Sequence, residues 1–276
     1  MRDNKMDWAM PVMRMGYAGR GMTYVAIAGL SLWTIWKGGQ AQGTSEALKS
    51  IETSPFGMFI LVLIGVGLLC YTAWRVIDGI ADLEEEGNDT KGLVARVGMV
   101  VTGLIHAAIG IAAISLVFGR NDGGGEGSRI AEFTQMIMSA PLGVWLVGAA
   151  GLATLGAGIY YLYKAWRRTY RQKLAANRFT TGWDTTLRFG VAAQGVVVSI
   201  IGGFLIYAFW TRDADQAGGM DKAFSWLQDQ VYGQVLVTLL CFGLLAFALF
   251  LFVNARYRTV PRLSDPDIRS LADEFA

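Results

Sequence analysis

Few side chains in this 276-residue sequence could do chemistry, and they are thinly spread. The single histidine, His106, lies inside an apolar run. An imidazole there can relay protons, ligate haem or hydrogen-bond a neighbouring helix. One histidine cannot supply both ligands of a bis-histidine haem. Cys70 and Cys241 stand in different apolar runs without metal-ligand spacing, and they read as small buried hydrophobes. Arg75 and Asp78 are three apart, a spacing that puts both on one helical face and allows an ion pair. Lys164 and Asn254 occupy comparable helix ends. Zinc-binding histidine pairs, a Gly-any-Ser-any-Gly elbow, a phosphate-binding loop and a Cys-any-any-Cys pair are all missing. The sequence therefore reads as non-catalytic. It favours no metal and no cofactor, with His106 the one cofactor-binding candidate.

Two charged stretches invite a binding role. "DLEEEGNDTKG" (82–92) lacks the ligand and glycine spacing of a calcium loop and reads as a solvated turn. "KAWRRTYRQKLAANR" (164–178) interleaves basic residues with Trp166 and Tyr170. No nucleic-acid motif accompanies it, so it reads as lying on anionic lipid headgroups, where each basic group contributes ~1 kcal/mol. Three arginines share a motif, Arg-any-Gly, four residues, Gly: "RMGYAGRG" (14–21), "RVGMVVTG" (96–103) and "RFGVAAQG" (188–195). Arg14, Arg96 and Arg188 are candidates for lipid or anion contact. Three converging guanidinium groups would repel one another without acidic partners, so they are expected to splay outward as anchors rather than form a gate.

The elements that must position these residues are membrane helices. Hydrophobic residues make up 53% of the chain and charged ones 17%. The apolar residues fall in six blocks, at about 17–37, 56–76, 97–118, 142–163, 188–210 and 232–253. Each approaches the ~20 residues that carry a helix across ~30 Å of hydrocarbon. Lipid offers no partner for free backbone groups, and barrel-like alternation is absent, so the blocks read as helices. The first block is too long for a signal peptide and holds Trp33 and Trp36 where small cleavage-site residues belong. The fold class expected is an all-α polytopic bundle of six membrane helices. Of 24 basic residues, all but Lys37, Lys49, Arg120, Arg129, Arg212 and Lys222 fall on the side that carries both termini. The positive-inside rule places that side in the cytoplasm, so the chain reads as a multi-pass inner-membrane protein with both termini cytoplasmic.

The blocks pair into three parallel repeats, at about 12–82, 94–170 and 186–258, within one domain of residues 1–263 that a tail of 264–276 follows. Each repeat reads basic entrance, helix, outer amphipathic stretch, turn, helix, basic exit. The outer stretches are 45–52, 128–138 and 221–231, and "DGGGEGS" (122–128) reads as a flexible linker. The turns are "SPFG" (54–57), "APLG" (140–143) and "QVYG" (230–233), with Pro55 and Pro141 suited to a first helical turn. From the second motif glycine, small residues recur at +4 and +7. Gly21, Gly103, Gly110, Gly195 and Gly202 thus form a helix-packing stripe. The stripe makes the first helix of each repeat the expected inner one and the second the lipid-facing one, with Gly65 off the interface. Matching polar residues at mid-depth are not expected.

The three motif arginines, the degenerate two-helix repeats and the "PFG"/"PLG" turns together resemble the bacterial membrane proteins known as domain of unknown function 1206. The resemblance covers about residues 12–260. It implies six membrane helices and assigns no activity and no catalytic residues. Val231 stands where the other turns have proline. The functional expectation is a structural or accessory protein that packs against membrane lipids or a membrane protein complex and takes no nucleic acid. The alternatives are a solute or ion path along the pseudo-threefold, and a cofactor or electron-transfer subunit that uses His106.

Overall fold

The structure, a computed structural model, describes residue 6 and residues 8–119, 126–264 and 268–275. Residues 122–125 of the glycine-rich linker lie outside the described residues. The elements are α1 (Ala9–Trp36), α2 (Thr44–Glu52), α3 (Gly57–Ala81), α4 (Thr90–Val117), α5 (Glu126–Met138), α6 (Gly143–Arg167), α7 (Arg178–Gly182), α8 (Asp184–Thr211), α9 (Met220–Gln228) and α10 (Gly233–Tyr257). Among the described residues there is no strand, only isolated bridges from Leu174 to Arg258 and from Ala175 to Ser270. The chain is an all-α polytopic bundle.

Among the described residues five helices, α3, α4, α6, α8 and α10, are long and apolar enough to cross a membrane. Helix α1 matches α4 and α8 at 28 residues but is less apolar, and its Arg20 stands well inside the helix, whereas Lys91 and Arg96 of α4 and Asp184 and Arg188 of α8 lie in the first two turns. Three repeating units follow from the order: α1 to α3, α4 to α6, and α8 to α10. The short helices α2, α5 and α9 cap one end of each, at the positions where amphipathic stretches stand in the sequence.

The turn into each second helix is the same in all three units. Phe56, Leu142 and Tyr232 adopt left-handed backbone angles, with φ of 65°, 63° and 63°. The next residue is Gly57, Gly143 or Gly233, and a Cβ there would collide with the carbonyl of Ile51, Ile137 or Gln228. The required residue is thus the final glycine, which explains why Val231 can replace proline. Pro55 and Pro141 sit in the turn before the helix, not in its first turn.

Neighbouring helices form the order α4, α3, α1, α10, α8, α6. Contacts between units (α3 with α4, α6 with α8, α10 with α1) carry the motif stripe. A Cβ on Gly103 would meet Arg75 at 3.2 Å, one on Gly110 the Gly65 carbonyl at 3.1 Å, and one on Gly195 the Gly158 carbonyl at 3.0 Å. Gly202 approaches the backbone of Leu155, and Gly21 approaches the Phe252 ring. Gly65 therefore lies in the same interface as Gly110, not off it. Contacts within units differ. Helix α1 packs on α3 and α8 packs on α10, but α4 and α6 form no packed interface. Helices α4 and α6 are the two ends of this order, which does not close.

This opening overturns the expected layering. The most buried span is α10, a second helix, while α4, a first helix, is as exposed as α6. Burial follows position along this open order rather than position within a repeat. The main core gathers α1, α8 and α10 around Tyr71, Trp74, Phe224 and Phe247.

Candidate functional site

The three unit ends meet in one buried ionic cluster. Glu84 comes from the α3–α4 connection, Lys173 from the α6–α8 connection, and Arg258 follows α10. Arg258 donates to both Glu84 oxygens, from Nε at 2.8 Å and from Nη2 at 2.6 and 2.7 Å. Lys173 Nζ donates to Glu84 at 2.7 Å and also to Glu86. The Glu84 amide donates to Asp78 at 3.1 Å, and Asp78 lies 3.7 Å from Arg75, the ion pair its spacing allowed. Burial alone would raise the Glu84 pKa. The charges of Arg258 and Lys173 overcome it and hold the carboxyl well below the usual carboxylate range. Burial likewise opposes the Arg258 charge, and Glu84 more than restores it.

Two readings of the sequence are corrected by this cluster. The acidic turn is not simply solvated, since Glu84 is only 4% exposed. The basic run does not simply lie on headgroups, because Lys173 joins Glu84 and the buried Arg171 donates to both oxygens of Asp184. Tyr170 also donates to Asp184, at 2.7 Å. The described end of the chain folds back here: Leu271 is fully buried, and the Arg171 guanidinium stacks 3.9 Å from the Phe275 ring.

Where α1 meets α3 and α10 lies Arg20, which the sequence reading passed over. It is 4% exposed, donates to the Tyr71 hydroxyl at 2.9 Å, and lies within 6 Å of the Tyr24, Tyr71 and Phe247 rings. Its place is six residues after Arg14. The same offset gives Thr102 after Arg96 and Gln194 after Arg188. All three units thus carry a polar residue at one register, which corrects the expectation of none. Counting from the motif arginines would have found them.

The motif arginines occupy separate junctions. Arg96 donates to the carbonyls of Gly79 (2.7 Å) and Ile80 (2.8 Å) and to Asn88, and so closes the C-terminus of α3. Arg188 donates to Ala165 at 2.9 Å near the C-terminus of α6. Each places a cation where last-turn carbonyls lack partners. Arg14 is exposed. His106 is buried on α4. Its Nδ1 lies 2.7 Å from the Thr102 carbonyl, which can only accept, so Nδ1 carries the proton. Its ring packs edge-on against Tyr71. Among the described residues no group of three His, Cys, Asp or Glu side chains could hold a metal.

The opening between α4 and α6 is the remaining feature. Counting from Gly57, Gly143 and Gly233, the second helices align as Gly67/Ala153/Gly243, Tyr71/Ala157/Phe247, Trp74/Tyr160/Phe250 and Asp78/Lys164/Asn254. The first and third members of each set are buried, while Ala153, Ala157 and Tyr160 are exposed and Lys164 is half-buried. Exposure is 0% for Trp74, 57% for Tyr160 and 7% for Phe250. The first helices agree: Gly16 and Gly190 would drive a Cβ into the backbones of α3 and α10, whereas one on Gly98 meets nothing within 4 Å. Val101 stands where the closed units have Gly19 and Ala193, and Ile105 where they have Thr23 and Val197. These larger side chains keep α4 from the close backbone approach that Gly19 makes with Gly67.

A family model for a Domain of Unknown Function (DUF1206) matches residues 15–82, 97–168 and 189–258. The chain belongs to this family. Each matched DUF1206 segment starts one residue after a motif arginine and ends at the residue that caps a second helix, Asp82, Arg168 or Arg258. Glu84 and Lys173 therefore lie in the connections between DUF1206 segments. An uncharacterized protein of Bacillus subtilis (strain 168) is 28% identical over 262 residues, covering 94% of both chains. No solved structure matches this chain.

Proposed function

We propose that this DUF1206 protein is a non-catalytic accessory component of the inner membrane, whose second unit receives a hydrophobic partner between α4 and α6. The carrying observation is the pair of exposed faces, Gly98, Val101 and Ile105 on α4 with Ala153, Ala157 and Tyr160 on α6. The other two units bury these positions. An exposed face of small and branched residues suits a bilayer component or a membrane helix. The ionic cluster supports a structural role, because Glu84 fastens three unit ends together.

In this reading α1 is the sixth crossing, and the end that bears Glu84, Lys173 and Arg258 faces the cytoplasm with both termini. Its support is the length of α1, its place between α3 and α10, and the excess of basic residues at that end. Reporter tags near residues 43 and 216 are expected on the opposite side from tags at 85–90 and 172–176. One tag on the wrong side removes the sixth crossing. The groove itself is tested with Gly98→Cys plus Ala157→Cys, both small for small. Mild oxidation in membranes is expected to leave the pair unlinked. Efficient disulfide formation would bring α4 onto α6 and end this reading.

A second reading, a solute or ion path along the pseudo-threefold, draws on Arg20, Thr102 and Gln194 at one register. Flux through vesicles that contain the purified protein, lost in Arg20→Gln, would promote it.

A further inference from the structure

We infer that the opening between α4 and α6 holds an acyl chain of an anionic phospholipid, whose phosphate rests on Lys164 and Arg75. The inference rests on the groove reading above and names its occupant. Every other cation of the cluster at this end has a carboxylate: Arg258 and Lys173 have Glu84, and Arg75 has Asp78. Among the described residues Lys164 has none, and its ammonium meets only the Tyr160 ring, at 5.9 Å. It lies within electrostatic reach of three cations, Arg258, Lys173 and Arg75, and of one carboxylate, Glu84, which Arg258 and Lys173 already bind, so the position favours an added negative charge.

Arg75 supplies unsatisfied donors. Its Nε and Nη1 are buried and without an acceptor, the Asp78 contact being too long for a hydrogen bond. Arg75 is on α3 with its Cβ beside Gly103 of α4, and Lys164 is on α6, so the two cations come from different units. Lys164 is also the register equivalent of the buried Asp78 and Asn254, half-buried because unit 2 is open.

Beyond these cations the groove is apolar. Ala157 stands where Tyr71 and Phe247 fill the closed units, Ala153 where two glycines permit contact, and Val101 and Ile105 face outward. A charged end that leads into an apolar trough complements an anionic headgroup with an acyl chain. A partner helix would need an acidic residue at the same depth, and a free anion would leave the trough unused.

The test uses the full chain, stripped of lipid in a neutral detergent, with phosphatidylglycerol, phosphatidylcholine or inorganic phosphate added. Native mass spectrometry reads the lipid retained. Phosphatidylglycerol should be retained about tenfold more strongly than phosphatidylcholine, the scale of one charge-assisted contact. Lys164→Gln should abolish that preference. Ala157→Phe, which installs the aromatic ring of the closed units, should abolish retention of both lipids without lowering the unfolding temperature. Equal retention of the two lipids, or an unchanged preference in Lys164→Gln, would overturn the anionic-lipid inference. If Ala157→Phe still expelled lipid in that case, the groove reading would survive. Indifference to Ala157→Phe would remove both. Displacement of phosphatidylglycerol by equimolar inorganic phosphate would reduce the site to an anion site and overturn the lipid inference.

Discussion

Units 1 and 3 close on themselves, and unit 2 does not. The same turn, the same motif glycines and the same helix lengths recur in all three. In unit 1, Gly19 lies against Gly67; in unit 3, Ala193 lies against Gly243. In unit 2 the corresponding residues are Val101 and Ala153. Where lipid removes the hydrophobic incentive between helices, close backbone contact is a main source of association, and three or four added side-chain carbons go with its loss. A repeat can therefore keep its outline while one copy gives up an interface.

The largest expected contrast lies at the aromatic position of the second helices. Trp74→Ala should destabilise by about 3–5 kcal/mol, because it empties a fully buried site. Tyr160→Ala should change stability by less than about 0.5 kcal/mol, as exposed positions do. Denaturant unfolding in micelles measures both, and equal losses would mean that unit 2 closes as well.

Next comes the cluster that ties the open and closed units together. Glu84→Gln should cost about 3 kcal/mol, since Arg258 would face a neutral amide in a buried site while Lys173 keeps Glu86. The pH dependence has a definite sign. Glu84 has a depressed pKa in the folded state, so its contribution is complete above the ordinary glutamate value of about 4.3 and is lost as pH falls further. The difference between wild type and Glu84→Gln should not shrink between pH 7 and about 5, and should do so only in stronger acid. Shrinkage near neutrality would contradict the pairing.

The motif glycines separate the units by a smaller margin. Gly190→Leu should cost about 1–3 kcal/mol through collision with α10, and Gly98→Leu less than about 0.5 kcal/mol. A similar loss at both would show that α4 packs on a helix in the membrane. The smallest effect concerns the arginines. Arg96→Ala should cost about 1–2 kcal/mol for its carbonyl bonds, and the exposed Arg14→Ala close to nothing, by thermal unfolding. Equal effects would mean that Arg14 also closes a helix end.

Composition and block length made the all-α bundle legible, because a chain segment in hydrocarbon has few ways to satisfy its backbone. The recurring motif made the three units and the between-unit glycines legible, because small residues at helical spacing have one geometric use. The turn glycines 57, 143 and 233 were visible too, although proline drew attention away from them. Arg20, Thr102 and Gln194 share a register that could have been counted.

What the tertiary structure alone decided is which charges meet and which faces part. Glu84, Lys173 and Arg258 are separated by as much as 174 positions, and each sits in an ordinary-looking charged stretch. Only the return of three unit ends to one place makes them a buried cluster. The openness of unit 2 is likewise absent from any one segment. Val101 and Ala153 are unremarkable membrane residues until the closed units show that Gly19 and Gly67 touch at the same register. Helix formation is local and leaves its period in the sequence. Association between helices depends on the shape of both faces at once, and that information exists only where the two faces are brought together.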